Sequence, residues 1–307
     1  MMLIKLDLSK TPFSLDHTLS CGQAFRWQKH NEWWIGVVGQ AVLKLRQSDG
    51  TFVFNGSADN LDGGLVRRYF RLDDDLGEIY SQITKDKHVR EAVNRFYGLR
   101  LLRQEPWECL ISYICATYKS IPAIKQMIYS LSSRFGKPID FEGTRFYGFP
   151  QPQALANASV RELRLCKLGY RAESVRETAR LVSKGDYDLE SLKGVSYTEA
   201  KRKLLSLPGV GPKVADCVLL FSLDKLEAFP IDVWMKRIML ECYSRYFEPS
   251  FVVKVESKAG LSPAEYQALY VVGRRVFGEY LGYAQEYLYH YRRCQELKGK
   301  GDSVLGG

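Results

Sequence analysis

The sequence predicts an α+β chain: a small N-terminal antiparallel β module, then a larger all-helical body carrying a helix-hairpin-helix motif. Three observations predict it. Short β-rich runs separated by turn residues fill the first part of the chain. From about Leu61 the apolar residues recur at helical spacing. At 207–221 "LPGVGPKVADCVLLF" sets two glycines and a proline at the mouth of an apolar helix.

In order along the chain, "NEWWIGVVG", "QAVLKLRQ" and "TFVFNG" read as strands, with a turn at Ser48-Asp49-Gly50. Leu43 and Leu45 alternate with Lys44 and Arg46, which predicts one buried face and one wet face. "PWECLISYICATY", "SIPAIKQMIYSLSSRF", "SVRELRLCKLGY" and "RAESVRETARLVSKG" read as amphipathic helices, punctuated at "FYGFPQPQ", "KGVS" and "LPGVG". A last long helix runs from Pro263 toward Arg293 with a break near Gly282, and the tail "KGKGDSVLGG" reads as disordered. The expected divisions are therefore a β-sheet domain with flanking helices at 1–97, a helical domain at 98–295 with the hairpin motif at about 196–223, and a loose end at 296–307.

Composition narrows the function classes. The 307 residues are 46% hydrophobic and 13% aromatic, enough for a large packed core. Lys and Arg exceed Asp and Glu by 44 − 35 = 9, which favours a polyanionic partner without dictating a fold. No stretch approaches the roughly 20 apolar residues of a membrane span, and the N-terminus lacks a leader pattern, so a soluble intracellular protein is expected; a monomer is also expected. The seven cysteines (Cys21, Cys109, Cys115, Cys166, Cys217, Cys242, Cys294) and four histidines (His17, His30, His88, His290) are scattered and contain no CxxC. This argues against a disulfide framework or a zinc site.

The chemistry gathers around the hairpin. Gly209 and Gly211 flank Val210, and Pro212 can open a helix without losing a needed donor. Such a turn presents backbone N–H groups beside a helix N-terminus, which suits a phosphate, although a plain tight helix–helix connection has the same sequence. Lys213 and Cys217, four apart, share a helix face, next to a buried stripe of Val214, Val218 and Phe221. An ammonium is disfavoured at the positive end of a helix, and partial burial adds to this, so the free, nucleophilic amine is favoured. A solvated lysine or a phosphate contact is the plainer reading. In "FPIDVWMKRIMLECY", Asp232 is a natural N-cap and also a carboxylate able to steady positive charge or move a proton.

Taken together, these residues resemble the 8-oxoguanine DNA glycosylase family of the helix-hairpin-helix glycosylases. "LPGVGPKVADC" followed by "FPIDV" has the hairpin, lysine and aspartate in that family's order. "SCGQAFRW" (20–27), "YFRLD" (69–73), "GLRLLRQEPWECLISYIC" (98–115), "FYGFPQPQAL" (146–155), "KLGYRA" (167–172) and "GYAQEYLYHYR" (282–292) follow in register, so the likeness spans about residues 4–295.

The resemblance implies excision of 8-oxoguanine from duplex DNA in base excision repair, with the base flipped into a pocket. It implies Lys213 as the nucleophile at C1′, leading through a Schiff base to β-elimination, and Asp232 as the carboxylate that steadies the oxocarbenium-like transition state. It places Gly22 at N7–H of the lesion, Gln285 at its Watson–Crick edge, and Cys217 and Tyr289 on its two faces, with tyrosine where the eukaryotic enzymes have phenylalanine. Gly209, Val210 and Gly211 would grip the DNA backbone, with a monovalent cation at the hairpin carbonyls and no required cofactor. Tyr170 would wedge the stack, Arg171 would contact the orphaned base, and Tyr118 would stack near it.

The chain departs from the family pattern on the opposite-strand side. "ATYKS" puts Tyr118 and Lys119 where the eukaryotic enzymes carry an asparagine run, and Ala123 where a cytosine-reading arginine stands. Trp234 replaces a histidine. Relaxed selectivity for the base opposite the lesion is therefore expected. Two alternatives stay open: a related glycosylase of other base specificity, or a non-enzymatic helix-hairpin-helix DNA-binding module. The iron–sulfur relatives need four closely spaced cysteines near the C-terminus, where only Cys294 stands here. Alkylation glycosylases typically lack the lysine. The binding module would need neither the lysine–aspartate pair nor the N-terminal pocket segment.

Overall fold

A computed structural model describes residues 4–9, 11–48, 50–57 and 63–302, with side chains described to residue 296. The three expected strand runs form the middle of a five-stranded antiparallel sheet: β1 (Ile4–Asp7), β2 (Trp27–His30), β3 (Trp33–Val38), β4 (Ala41–Ser48) and β5 (Thr51–Gly56), in the order β1-β5-β4-β3-β2. The predicted alternation holds on β4, where Leu43 and Leu45 are buried and Lys44 and Arg46 are partly exposed. Leu45 pairs with Phe54 on β5 and Trp34 on β3. With Trp27, Phe52 and Leu43 they cover Val66, Tyr69 and Phe70, at and just beyond the helix Gly63–Tyr69, in one apolar cluster.

The helices Leu76–Ile83 and Lys87–Arg95 are N-capped by Asp75 and Asp86. They lie before the expected division at 97/98, yet their apolar faces join the large helical core, not the sheet cluster. The helix Pro106–Cys115 is not amphipathic as expected. Every residue except Glu108 is buried, because the helix runs through the middle of that core. The body is also not purely helical. A hairpin of two four-residue strands, Pro138–Phe141 and Thr144–Tyr147, turns at Glu142-Gly143 and packs Phe141 against Val37 and Val42 of the sheet.

The C-terminal helix breaks earlier than expected. Pro263–Phe277 stops at Gly278, a short 3₁₀ turn follows, and the chain continues as Leu281–Asp302. Gly282 lies inside the new helix, where a Cβ would stand 2.3 Å from the Leu220 side chain. Its smallness serves helix packing. The helix runs through Glu296 to Asp302, into the segment expected to be loose; residues 303–307 lie outside the described residues.

Candidate active site

The hairpin forms where its sequence predicts. Ser196 caps the helix Tyr197–Leu204, and Gly211 with Pro212 opens the helix Pro212–Ser222. Gly209 adopts φ +80, and a Cβ there would press to 2.8 Å from Ser174 on the helix Arg171–Ser183. Thr178 of that helix donates a 3.0 Å hydrogen bond to the Pro208 carbonyl, so the turn is held from behind. Val210 is buried beneath it.

Lys213 emerges half-buried on the first turn of its helix, with its amine 4.8 Å from the centre of the Tyr113 ring. Cys217, one turn further on, is buried. Burial pushes its thiol up to about 12, while the neighbouring Lys213 pulls the other way. Asp232 caps the helix Val233–Cys242, its Oδ1 accepting the Trp234 and Met235 N–H groups at 2.9 Å each. Burial raises its carboxyl, against the Met235 N–H and the charge of Lys213. Lysine and carboxylate are thus near enough for their charges to interact.

These groups meet at one cavity of about 440 Å³, comparable with small-molecule sites. Its walls bring together Gly22, Lys213, Cys217, Asp232, Gln285 and Tyr289, with Gly209, Gly211 and Tyr118 also lining it. Gly22 comes from the segment after the first helix and has φ +105, and a Cβ there would stand 2.6 Å from Arg293 Nη1. The adjacent Gln23 fixes the segment: its amide donates to the Arg100 carbonyl at 2.8 Å and accepts from Leu102 N–H at 2.8 Å. Gln285 is 4% exposed, and its Oε1 has no hydrogen-bond partner among the described residues. Burial raises the Tyr289 phenol.

The opposite-strand candidates lie differently. Tyr118 is 79% exposed with φ +53, so it does not pack into the helical body. Tyr170 is 67% exposed and outside the cavity. Arg171 is buried, donating to the Thr117 and Leu168 carbonyls, with its guanidinium 4.3 Å from the Tyr170 ring centre. It is neither a solvated charge nor free to meet a base without leaving these carbonyls. Sequence reasoning passed over Tyr113 and Glu286, both in the cavity wall. The one signal for Glu286 was an acid set among aromatics in "YAQEYLY". Among the described residues no group of three or more His, Cys, Asp or Glu could hold a metal ion, and no helix is long and apolar enough to cross a membrane.

A hairpin-opened helix whose lysine shares a base-sized cavity with a capping carboxylate is the arrangement of a base-excision class of protein. Residues 111–247 match the HhH-GPD superfamily of base excision DNA repair proteins, and residues 5–110 match the 8-oxoguanine DNA glycosylase N-terminal domain. The chain is 31% identical to the N-glycosylase/DNA lyase of Saccharomyces cerevisiae, covering 99% of this chain and 88% of that one. It is 33% identical to a probable N-glycosylase/DNA lyase of Methanothermobacter thermautotrophicus, covering 76% and 75%. The Clostridium acetobutylicum 8-oxoguanine glycosylase/lyase, solved with double-stranded DNA containing cytosine opposite 8-oxoguanine, superposes with a TM-score of 0.83. It is 30% identical, with 96% of this chain and 99% of that one covered. The chain belongs to the N-glycosylase/DNA lyase family of helix-hairpin-helix base-excision proteins.

Proposed function

We propose that this protein excises 8-oxoguanine from duplex DNA and then cleaves the strand at the abasic sugar, with Lys213 as nucleophile. The observation that carries the reading is the meeting of the Lys213 amine and the Asp232 carboxylate at one cavity of base-accommodating size.

A base inside a duplex is out of reach, so the nucleotide swings outward into the cavity. The base slides between Cys217 and Tyr289, with the Gly22 carbonyl at N7–H, a donor that normal guanine lacks. One such bond discriminates by about 1 kcal/mol, more where a mismatch leaves a buried group unpaired. Gln285 takes the Watson–Crick edge. As the glycosidic bond lengthens, positive charge grows on the sugar, and Asp232 steadies it. The Lys213 amine forms the bond to C1′ while the C1′–N9 bond breaks, the bond's electron pair and a proton leaving with the base. Opening of the sugar ring gives the Schiff base. Loss of a C2′ proton then expels the 3′ phosphate by β-elimination, and water returns the free lysine.

The Gly209–Gly211 turn and the following helix N-terminus face the DNA phosphates in this reading. The carbonyl oxygens of Leu205 and Val210 accept no hydrogen bond among the described residues, so the turn offers oxygen ligands of the kind a monovalent cation takes. Tyr118, Tyr170 and, once released, Arg171 serve the opposite strand.

Borohydride trapping tests the chemistry. An 8-oxoguanine duplex should give a covalent complex that Lys213→Gln abolishes. Trapping by Lys213→Gln at the native level would move the nucleophile elsewhere. Tight DNA binding without trapping or base release would instead support a binding module, and faster release of a different base would support another specificity.

A further inference from the structure

The reaction above leaves an acidic cavity residue unused. Glu286, next to Gln285 on the last helix, lines the same wall and is 3% exposed. Its Oε1 has no hydrogen-bond partner among the described residues. Arg293, two turns further along that helix, directs its guanidinium to the Ser20 and Cys21 carbonyls instead. Burial pushes the Glu286 carboxyl up to about 7, with the Cys21 thiol and the Arg293 charge pulling it down and Asp232 adding to the rise. A carboxyl held this way is costly for the fold, and buried polar atoms without partners are rare.

Gln285 Oε1 is orphaned too. Two adjacent acceptors without donors, in the wall of one cavity, define a ligand rich in donors. Oxidised guanine is such a ligand, with N1–H and the 2-amino group on one edge and N7–H on the other. We infer that Glu286 is a further base-reading residue, its carboxyl oxygen accepting an N–H of the extruded oxidised purine beside the Gly22 carbonyl and Gln285. The inference rests on the 8-oxoguanine reading above. A carboxylate in this wall pairs with such an edge and repels an edge made of acceptors. Its place beside Cys21 sets it next to the segment that carries Gly22.

Glu286→Gln and Glu286→Leu test this with two substrates, 8-oxoguanine duplex and the same duplex carrying a preformed abasic site. Glutamine keeps one acceptor oxygen and leucine keeps none. Above pH 7, where the carboxyl is ionised, single-turnover base excision should fall at least about tenfold in Glu286→Leu and less in Glu286→Gln, as expected for loss of a bond to a charged acceptor. Abasic-site cleavage, whose substrate has no base, should fall by no more than about twofold. Both variants should melt at or above the wild-type temperature, because a buried acid with one unpartnered oxygen has been removed. Parallel loss of both activities, or a lower melting temperature in both variants, would make Glu286 structural. Unchanged excision would overturn the inference while leaving the lysine chemistry intact, and absence of excision by the wild type would strike the underlying reading instead.

Discussion

The Tyr266 hydroxyl lies 2.6 Å from Asp216 Oδ2 and also accepts the Ile231 N–H at 3.1 Å. Asp216 precedes Cys217 on the lysine-bearing helix, and Ile231 precedes Asp232. One hydroxyl therefore ties the two halves of the candidate site together. Asp216 is fully buried and further held by Lys201 and Tyr197, at 2.9 Å each. Tyr266→Phe should cost about 2 kcal/mol of stability, the range for a buried bond to a charged group. It should also slow single-turnover excision about tenfold or more through misplacement of the lysine and carboxylate. Urea melts and rapid-quench assays check the two effects. A stability loss with unchanged rates would confine this network to folding.

Asp232 has two roles that substitution separates. Asparagine is as good an N-cap as aspartate and can accept the same Trp234 and Met235 N–H groups. Asp232→Asn should therefore melt within about 0.5 kcal/mol of the wild type. It should lose about 10²- to 10³-fold in base excision, since the negative charge facing the developing cation is gone. A variant that excises normally would leave Asp232 as a cap alone.

How much of this was legible in the sequence follows from how local each feature is. The hairpin, Lys213 and the Asp232 cap depend on neighbours within a few residues: glycines, a proline at the first helical position, a carboxylate before a periodic run. The middle strands declared themselves by β-forming runs between turn residues and, on β4, by alternation. β1 and β2 did not, because four residues on a sheet edge are too few to alternate convincingly. The helix Pro106–Cys115 is buried on every side, so no face marked Tyr113 as the ring beneath the lysine. Gly22, Gln285 and Tyr289 were reachable only through the family resemblance, since the cavity joins segments more than 200 residues apart. Arg171 shows the opposite limit: nothing in "LGYRA" reveals a guanidinium folded back onto two carbonyls.

Opposite-base selectivity should be weak. Arg171 is engaged with carbonyls, Ala123 offers no donor to a base, and the exposed Tyr118 can stack on any base. Excision rates opposite cytosine, adenine, guanine and thymine should agree within about tenfold, which corresponds to roughly 1.4 kcal/mol. Tyr118→Ala should weaken duplex binding by about 1 to 3 kcal/mol, the range for base–aromatic stacking, whatever the partner. Strict rejection of every partner but cytosine would show that another residue reads the opposite strand.

Two buried groups on the last helix give the stability a pH signature. Burial lowers His290 to about 3 from its ordinary 6.5. The unfolded chain then takes up a proton below pH 6.5 that the folded chain refuses, so the stability from His290 is present above 6.5 and lost as pH falls toward 3. Glu286 is raised to about 7 from 4.5. Below about 7 it holds its proton when folded, so its contribution is present below 4.5 and lost as pH rises through 7. Between pH 4.5 and 6.5 the two effects run in opposite directions by about 3 kcal/mol each, at roughly 1.4 kcal/mol per unit, and nearly cancel. Substitution unmasks each one. Relative to the wild type, His290→Phe, which keeps a ring against Phe96, should gain stability as the pH is lowered across this window. Glu286→Gln should lose its relative advantage over the same interval. Denaturant melts at several pH values give both difference curves, and a flat curve for either variant would mean that its group titrates normally in the folded protein.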